Sequence, residues 1–154
     1  MLFRFVRRHP LVLGAVFVAV ALGTACDEST PPEEEPEVAT LRLIVGPSAG
    51  PNDTVSVNVA TGVVTGGPIT ISANTAIEAE FLRDDGSPDP LVTDADFRLD
   101  VTPENTSFVT FTRASAFAGT LNKVAAGSTR IEFGLFHLEE QHHEFERFVD
   151  ITVN

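Results

Sequence analysis

The stretch Thr40-Leu41-Arg42-Leu43-Ile44-Val45 decides the fold class of this chain. Its residues Leu41, Leu43 and Val45 occupy every second position. Successive side chains of a β-strand point to opposite faces, so this pattern predicts a strand with one buried and one polar face. A helix would instead repeat its apolar residues three and four positions apart.

The same alternation recurs along the rest of the chain. It appears in Val55/Val57/Val59, Ile69/Ile71, Ile77/Ala79/Phe81, Phe97/Leu99/Val101, Ile131/Phe133/Leu135 and Val149/Ile151/Val153. Turn-forming pairs such as Thr61-Gly62 and Asp85-Gly86 separate these runs. Eight or nine short strands over about 115 residues predict an all-β fold, a sandwich of two antiparallel sheets at 39–154, with a jelly roll as the alternative.

The amino-terminal 25 residues have the composition of a secretory signal peptide. Arg4, Arg7 and Arg8 precede an uncharged run from Leu11 to Ala25. At about 1.5 Å per residue, this run reaches roughly 22 Å, which is short of the ~30 Å hydrocarbon core of a bilayer. We therefore expect a cleaved signal at 1–25 rather than a permanent membrane helix.

The run ends in Leu22-Gly23-Thr24-Ala25-Cys26, which resembles the lipobox of bacterial lipoproteins. The resemblance implies that Cys26 becomes the lipidated first residue of the mature chain. It also implies an exported protein held by lipid on a bacterial membrane, at the periplasmic side or the cell surface. Cleavage by the ordinary signal peptidase is the alternative, and it would leave the only Cys of the chain as a free thiol.

Residues 26–38 read as a spacer between this anchor and the domain. Six of the twelve residues from Asp27 to Val38 are acidic and three are Pro. Such a segment has little to bury, so the sequence predicts a disordered tether, with an acidic interaction tail as the alternative. Without residues 1–25 the chain keeps 7 basic residues (10 − 3) and 22 acidic ones, a formal charge of 7 − 22 = −15. This charge argues against a nucleic-acid partner.

A second resemblance lies in the segment from Phe117 to Ile131. It contains a strand-like stretch, then Val124-Ala125-Ala126-Gly127, then a stretch rich in Thr and Ile. This order is similar to the late part of bacterial immunoglobulin-like domains. The resemblance implies an immunoglobulin-like sandwich that serves adhesion, spacing or display, with a structural or partner-binding role at the cell envelope and an unknown protein or envelope partner.

An enzymatic function is not expected. Gly46-Pro47-Ser48-Ala49-Gly50 matches the Gly-x-Ser-x-Gly pattern of hydrolases. That pattern carries a nucleophile only where a helix follows it at once, and here a predicted strand follows.

The segment from His137 to Phe145 supplies the alternative function, binding of a divalent metal. Two predicted strands flank it, so it forms a hairpin connection. Imidazole nitrogens and carboxylate oxygens are ligands for Zn²⁺ and Cu²⁺, and the expected set is His137, His142 and Glu144, with His143 and Glu139 in reserve. A solvated, charged loop is the competing interpretation.

A further acidic cluster, Asp84, Asp85 and Asp89, surrounds a predicted turn. Clustered carboxylates suit Ca²⁺, which takes six to eight oxygen ligands. The spacing of an EF-hand is absent, however, and Asp-Asp-Gly is a good turn by itself. Both interpretations stay open at this point.

Overall fold

The computed structural model describes residues 34–46 and 53–154. The predicted signal peptide, Cys26 and most of the predicted tether lie outside these residues. Within them the chain forms ten strands: β1 (Thr40–Val45), β2 (Asp53–Asn58), β3 (Val64–Thr65), β4 (Ile69–Ile71), β5 (Thr75–Leu82), β6 (Phe97–Pro103), β7 (Val109–Arg113), β8 (Ala118–Lys123), β9 (Gly127–His137) and β10 (His142–Val153). Among the residues described, no helix is both long and apolar enough to cross a membrane.

The strands form two sheets, which confirms the predicted all-β sandwich. Six strands pair in the order β3-β2-β1-β5-β8-β7, and four in the order β4-β10-β9-β6. One pairing departs from the prediction of antiparallel sheets: β4 runs parallel to β10, with Ile69 opposite Ile151. The strand number is also higher than the eight or nine predicted, and β3, with only two residues, is too short to show alternation.

One apolar core lies between the sheets. Leu41 and Leu43 of the six-stranded sheet are fully buried, as are Leu99, Phe133 and Leu135 of the four-stranded sheet. Every second residue of β1 is buried, as the alternation requires. Removal of such side chains from water contributes about 1.5–3 kcal/mol each, so the alternation itself selects this pairing of faces.

The segment with the immunoglobulin-like pattern connects the two sheets. Strand β8 belongs to the six-stranded sheet and β9 to the four-stranded sheet, so residues 124–126 cross from one to the other. This crossing is compatible with a sandwich. Membership of the immunoglobulin-like class stays a prediction.

Residues slightly before the predicted domain boundary at residue 39 also contact the domain. Val38 packs against the core, and the Glu37 amide donates a 2.7 Å hydrogen bond to Oδ2 of Asp89. The Ala39 amide donates to the carbonyl of Leu82 at 2.8 Å. These contacts fix the direction in which residues 34–36 approach the domain.

Candidate metal centre

The centre lies at the turn of the β9–β10 hairpin. Four residues, from Leu138 to Gln141, connect the strands, and Gln141 takes the left-handed conformation with φ of 57°. The turn is held at both ends: the Gln141 amide donates to the His137 carbonyl at 3.1 Å, and the Leu138 amide donates to the Asp96 carbonyl at 2.7 Å. As a result His142 lies directly opposite His137 in the ladder.

A β-bulge places Glu144 beside these two histidines. His143 pairs with Phe136 and Phe145 pairs with Leu135, which leaves Glu144 as the extra residue of β10. Strict alternation would put Glu144 and Phe145 on opposite faces. The bulge instead lets Phe145 join the core while Glu144 keeps its carboxylate next to His142.

The three side chains converge on one point. Oε1 of Glu144 lies 3.5 Å from Nδ1 of His137 and 3.2 Å from Nε2 of His142. One ligand atom from each of the three residues lies within 4.8 Å of the others. No other group of three or more His, Cys, Asp or Glu side chains meets this condition in the described part of the chain.

The protein supports the three residues unequally. His137 stacks on Phe97, with ring centroids 4.5 Å apart and an interplanar angle of 26°, because β6 sets Phe97 opposite His137. The side chains of His137 and Glu144 are each 17 % exposed, and that of His142 is 46 % exposed. Two of the three groups are therefore held by packing, while the third opens to solvent.

This arrangement suits a tetrahedral metal ion. Two ligands that each lie about 2.0–2.1 Å from Zn²⁺ are roughly 3.4 Å apart, close to the separations of 3.2 and 3.5 Å found here. Two imidazole nitrogens and one carboxylate oxygen also suit Cu²⁺. Three protein ligands leave a fourth position open, as in zinc sites that accept water or a further group.

Glu140 has a role that the sequence did not indicate. Its Oε2 lies 3.2 Å from Nδ1 of His142 and 3.7 Å from Nδ1 of His137. A carboxylate on Nδ1 of His142 favours the tautomer whose Nε2 is free to bind metal. Glu139, the acid predicted in reserve, lines the adjoining cleft instead. Strand alternation could not distinguish the two because both lie in the turn.

His143, the other reserve residue, lies on the opposite face of the hairpin. Its Nε2 is 3.1 Å from Oδ2 of Asp100, and its Nδ1 is 3.1 Å from Oε1 of Glu146. The ring lies over Gly134, where an added Cβ would come within 3.0 Å of Cδ2 of His143. His143 is therefore held away from the three converging side chains.

The acids of the predicted calcium site do not form such a cluster. Asp89 has a fully buried side chain that accepts hydrogen bonds from the Glu37 and Leu91 amides and pairs with Arg83. Asp85 accepts hydrogen bonds from the Ser87 hydroxyl and amide, which lower the pKa of its carboxyl, and Asp84 is exposed. Calcium binding by these three residues stays a prediction without a supporting geometry.

A cleft of about 270 Å³ opens beside His137 and Glu144. Its wall includes Phe97, Leu91 and Pro36. The remaining lining residues, apart from His137, all carry carboxylates: Glu34, Glu35, Asp96, Glu139, Glu140 and Glu144. The cleft therefore presents negative charge beside His137 and Glu144.

Comparisons with known proteins find no family model that matches this chain, and no curated protein similar to it in sequence.

Proposed function

We propose that this protein binds a divalent transition-metal ion, Zn²⁺ or Cu²⁺, through His137, His142 and Glu144. The observation that carries the proposal is the convergence of these three ligand atoms within 4.8 Å. A solvated loop would not require a bulge that turns Glu144 toward the two imidazoles, nor a stacked Phe97 beneath one of them. The centre is therefore built by the fold.

The electrostatics of the region favour a cation. The cleft beside the centre is lined by six acidic side chains, and no Lys or Arg is among its lining residues. The whole chain carries a formal charge of −12. Like charges at short range repel one another, and a bound divalent cation relieves that repulsion. Metal binding thus offsets the electrostatic repulsion among these carboxylates in the metal-free domain.

The cellular setting of this activity is proposed from the sequence. The small-residue run that ends in Cys26 supports export and a lipid anchor on a bacterial membrane. Within that setting, a non-enzymatic immunoglobulin-like module that binds an envelope partner is the second candidate function. Val64 and Phe148, 36 % and 41 % exposed, line one surface cleft together and support a contact surface of this kind.

Calorimetric titration of the purified, tag-free full chain with Zn²⁺ tests the metal proposal. Cys26→Ser serves as the background for every variant, because a free thiolate binds zinc by itself. We expect one ion per chain and a melting temperature that rises with metal concentration. His142→Ala should weaken binding by more than roughly tenfold, since even loss of a supporting group around a metal costs that much.

The neighbouring histidine provides the matched control. His143→Ala removes the same side chain one residue away, but on the opposite face of the hairpin. It should leave zinc affinity nearly unchanged. Equal weakening by both substitutions, or no binding by the wild-type site below roughly millimolar zinc, would contradict the proposal.

A further inference from the structure

The segment that leads into the domain borders the cleft beside the candidate metal centre. Glu34, Glu35 and Pro36 line the same cleft as His137 and Glu144. The segment is held there from its carboxyl-terminal side, where the Glu37 amide bonds to Asp89 and Val38 packs on the core. Residues 34 and 35 therefore lie on the wall of a cleft that borders two of the three proposed ligands.

Two acids of the hairpin turn, Glu139 and Glu140, line this cleft of about 270 Å³ together with Glu34 and Glu35. Pro36 disfavours a helical conformation of Glu35, the residue before it, so the segment runs along the cleft wall in an extended form. The side chains of Glu34 and Glu35 have three rotatable bonds each, so their carboxylates can take several positions along the cleft.

The negative charge of Glu34 and Glu35 makes their contact with the hairpin depend on a bound metal ion. In the metal-free domain, Glu34 and Glu35 line one cleft with the carboxylates of Glu139, Glu140 and Glu144. Those groups repel one another. A divalent cation held by His137, His142 and Glu144 reverses the sign of the local interaction, and its fourth coordination position is open to one oxygen donor.

We propose that the bound ion takes its fourth ligand from the carboxylate of Glu34 or Glu35, and so fastens the amino-terminal segment to the β9–β10 hairpin. This inference rests on the metal-binding function proposed above. It makes the site a metal-dependent clasp between two parts of the chain. In a protein anchored at Cys26, the clasp would shorten the free spacer by about three residues and restrict the orientation of the domain.

The test uses the full chain in the Cys26→Ser background and compares two double variants. Glu34→Gln with Glu35→Gln removes both candidate carboxylates from the cleft. Glu78→Gln with Asp150→Asn removes the same charge from two exposed positions that do not line it. Zinc affinity is measured by calorimetry, and the side-chain carboxyl ¹³C signals of Glu34 and Glu35 are followed by nuclear magnetic resonance during the titration.

We expect the cleft variant to bind zinc roughly tenfold more weakly than the control variant, because it has lost a direct oxygen ligand. In the wild-type segment, the carboxyl signal of one of the two glutamates should shift in step with saturation of the site. If both double variants bind zinc as tightly as the wild-type chain, and the carboxyl signals of Glu34 and Glu35 do not shift, the clasp is wrong. The proposed metal centre would then still stand. Absence of zinc binding altogether would overturn both proposals.

Discussion

The imidazole of His137 stacks on the ring of Phe97, with centroids 4.5 Å apart. Phe97 is 4 % exposed and belongs to the core, so one wall of the candidate metal centre is continuous with the interior of the sandwich. The orientation of His137 is thus fixed before any ion arrives. Such pre-organisation reduces the entropy lost on binding.

Replacement of Phe97 by Leu should weaken zinc binding about tenfold while leaving the domain folded, because the apolar volume is largely kept and the flat support under His137 is lost. Calorimetric titration measures the affinity, and circular dichroism verifies the fold. Phe133→Leu is the matched control, since it alters another buried phenylalanine of the same sheet. If both variants lose affinity equally, stacking does not orient His137.

Asp89 should be important for stability. Its buried carboxylate accepts hydrogen bonds from the amides of Glu37 and Leu91 and pairs with Arg83. Asp89→Ala should lower the free energy of unfolding by about 1.5–3 kcal/mol, the usual contribution of hydrogen bonds to a charged group. Urea denaturation measures it. The exposed neighbour Asp84→Ala should change stability by no more than about 0.5 kcal/mol, and a comparable loss there would refute this role for Asp89.

The outer face of the four-stranded sheet should make stability depend on pH. Burial raises the pKa of the Glu132 carboxyl, and its hydrogen bond with the Glu146 carboxyl raises it further. The folded state then binds this proton more tightly than the unfolded chain, so its contribution to stability falls as pH rises from the ordinary carboxyl range through the folded pKa.

Glu132→Gln should therefore be more stable than the wild type above that range, and the difference should vanish at lower pH. Urea denaturation between about pH 4 and pH 8 measures the difference. Glu78→Gln, on an exposed position of the other sheet, should follow the wild-type curve. A constant offset for Glu132→Gln at every pH would disprove the titration of this carboxyl as the cause.

Cys26→Ser should convert a membrane-associated protein into a soluble or unprocessed one, because two acyl chains anchor a protein stably and no other lipid-attachment residue is proposed. Cell fractionation together with mass spectrometry of the mature amino terminus checks this outcome. An unmodified amino terminus in the wild-type protein would exclude the anchor. The domain should stay folded, since every strand of the sandwich lies beyond residue 39.

The alternation of apolar and polar residues in the sequence predicted which strand residues are buried. Leu41, Leu43 and Val45 appear as the buried face of β1, and Phe133 and Leu135 as that of β9, because alternation reflects burial directly. The candidate centre was also within reach of sequence reasoning. A hairpin necessarily brings the two strand ends together, so His137 and His142 had to meet once their flanking strands were recognised.

Other features were beyond that reasoning. Strand β3 is too short to display a period, and the parallel pairing of β4 with β10 depends on contacts between distant parts of the sequence. The bulge did leave a trace: Phe145 and Val149 occupy odd positions on the core face, whereas His142 and Glu144 occupy even ones. Residues at even and at odd positions of one strand can lie on the same face only if one extra residue, a bulge, is inserted between them.

The parallel pairing of β4 with β10 bears on when this domain can fold. During synthesis, residues 69–71 emerge long before residues 151–153, their partners in the ladder. β10 also pairs with β9 along its length, so the four-stranded sheet lacks an internal strand until residue 153 is available. Closure of such distant contacts is slow. The core between the two sheets should therefore be completed only after β10 has been synthesised.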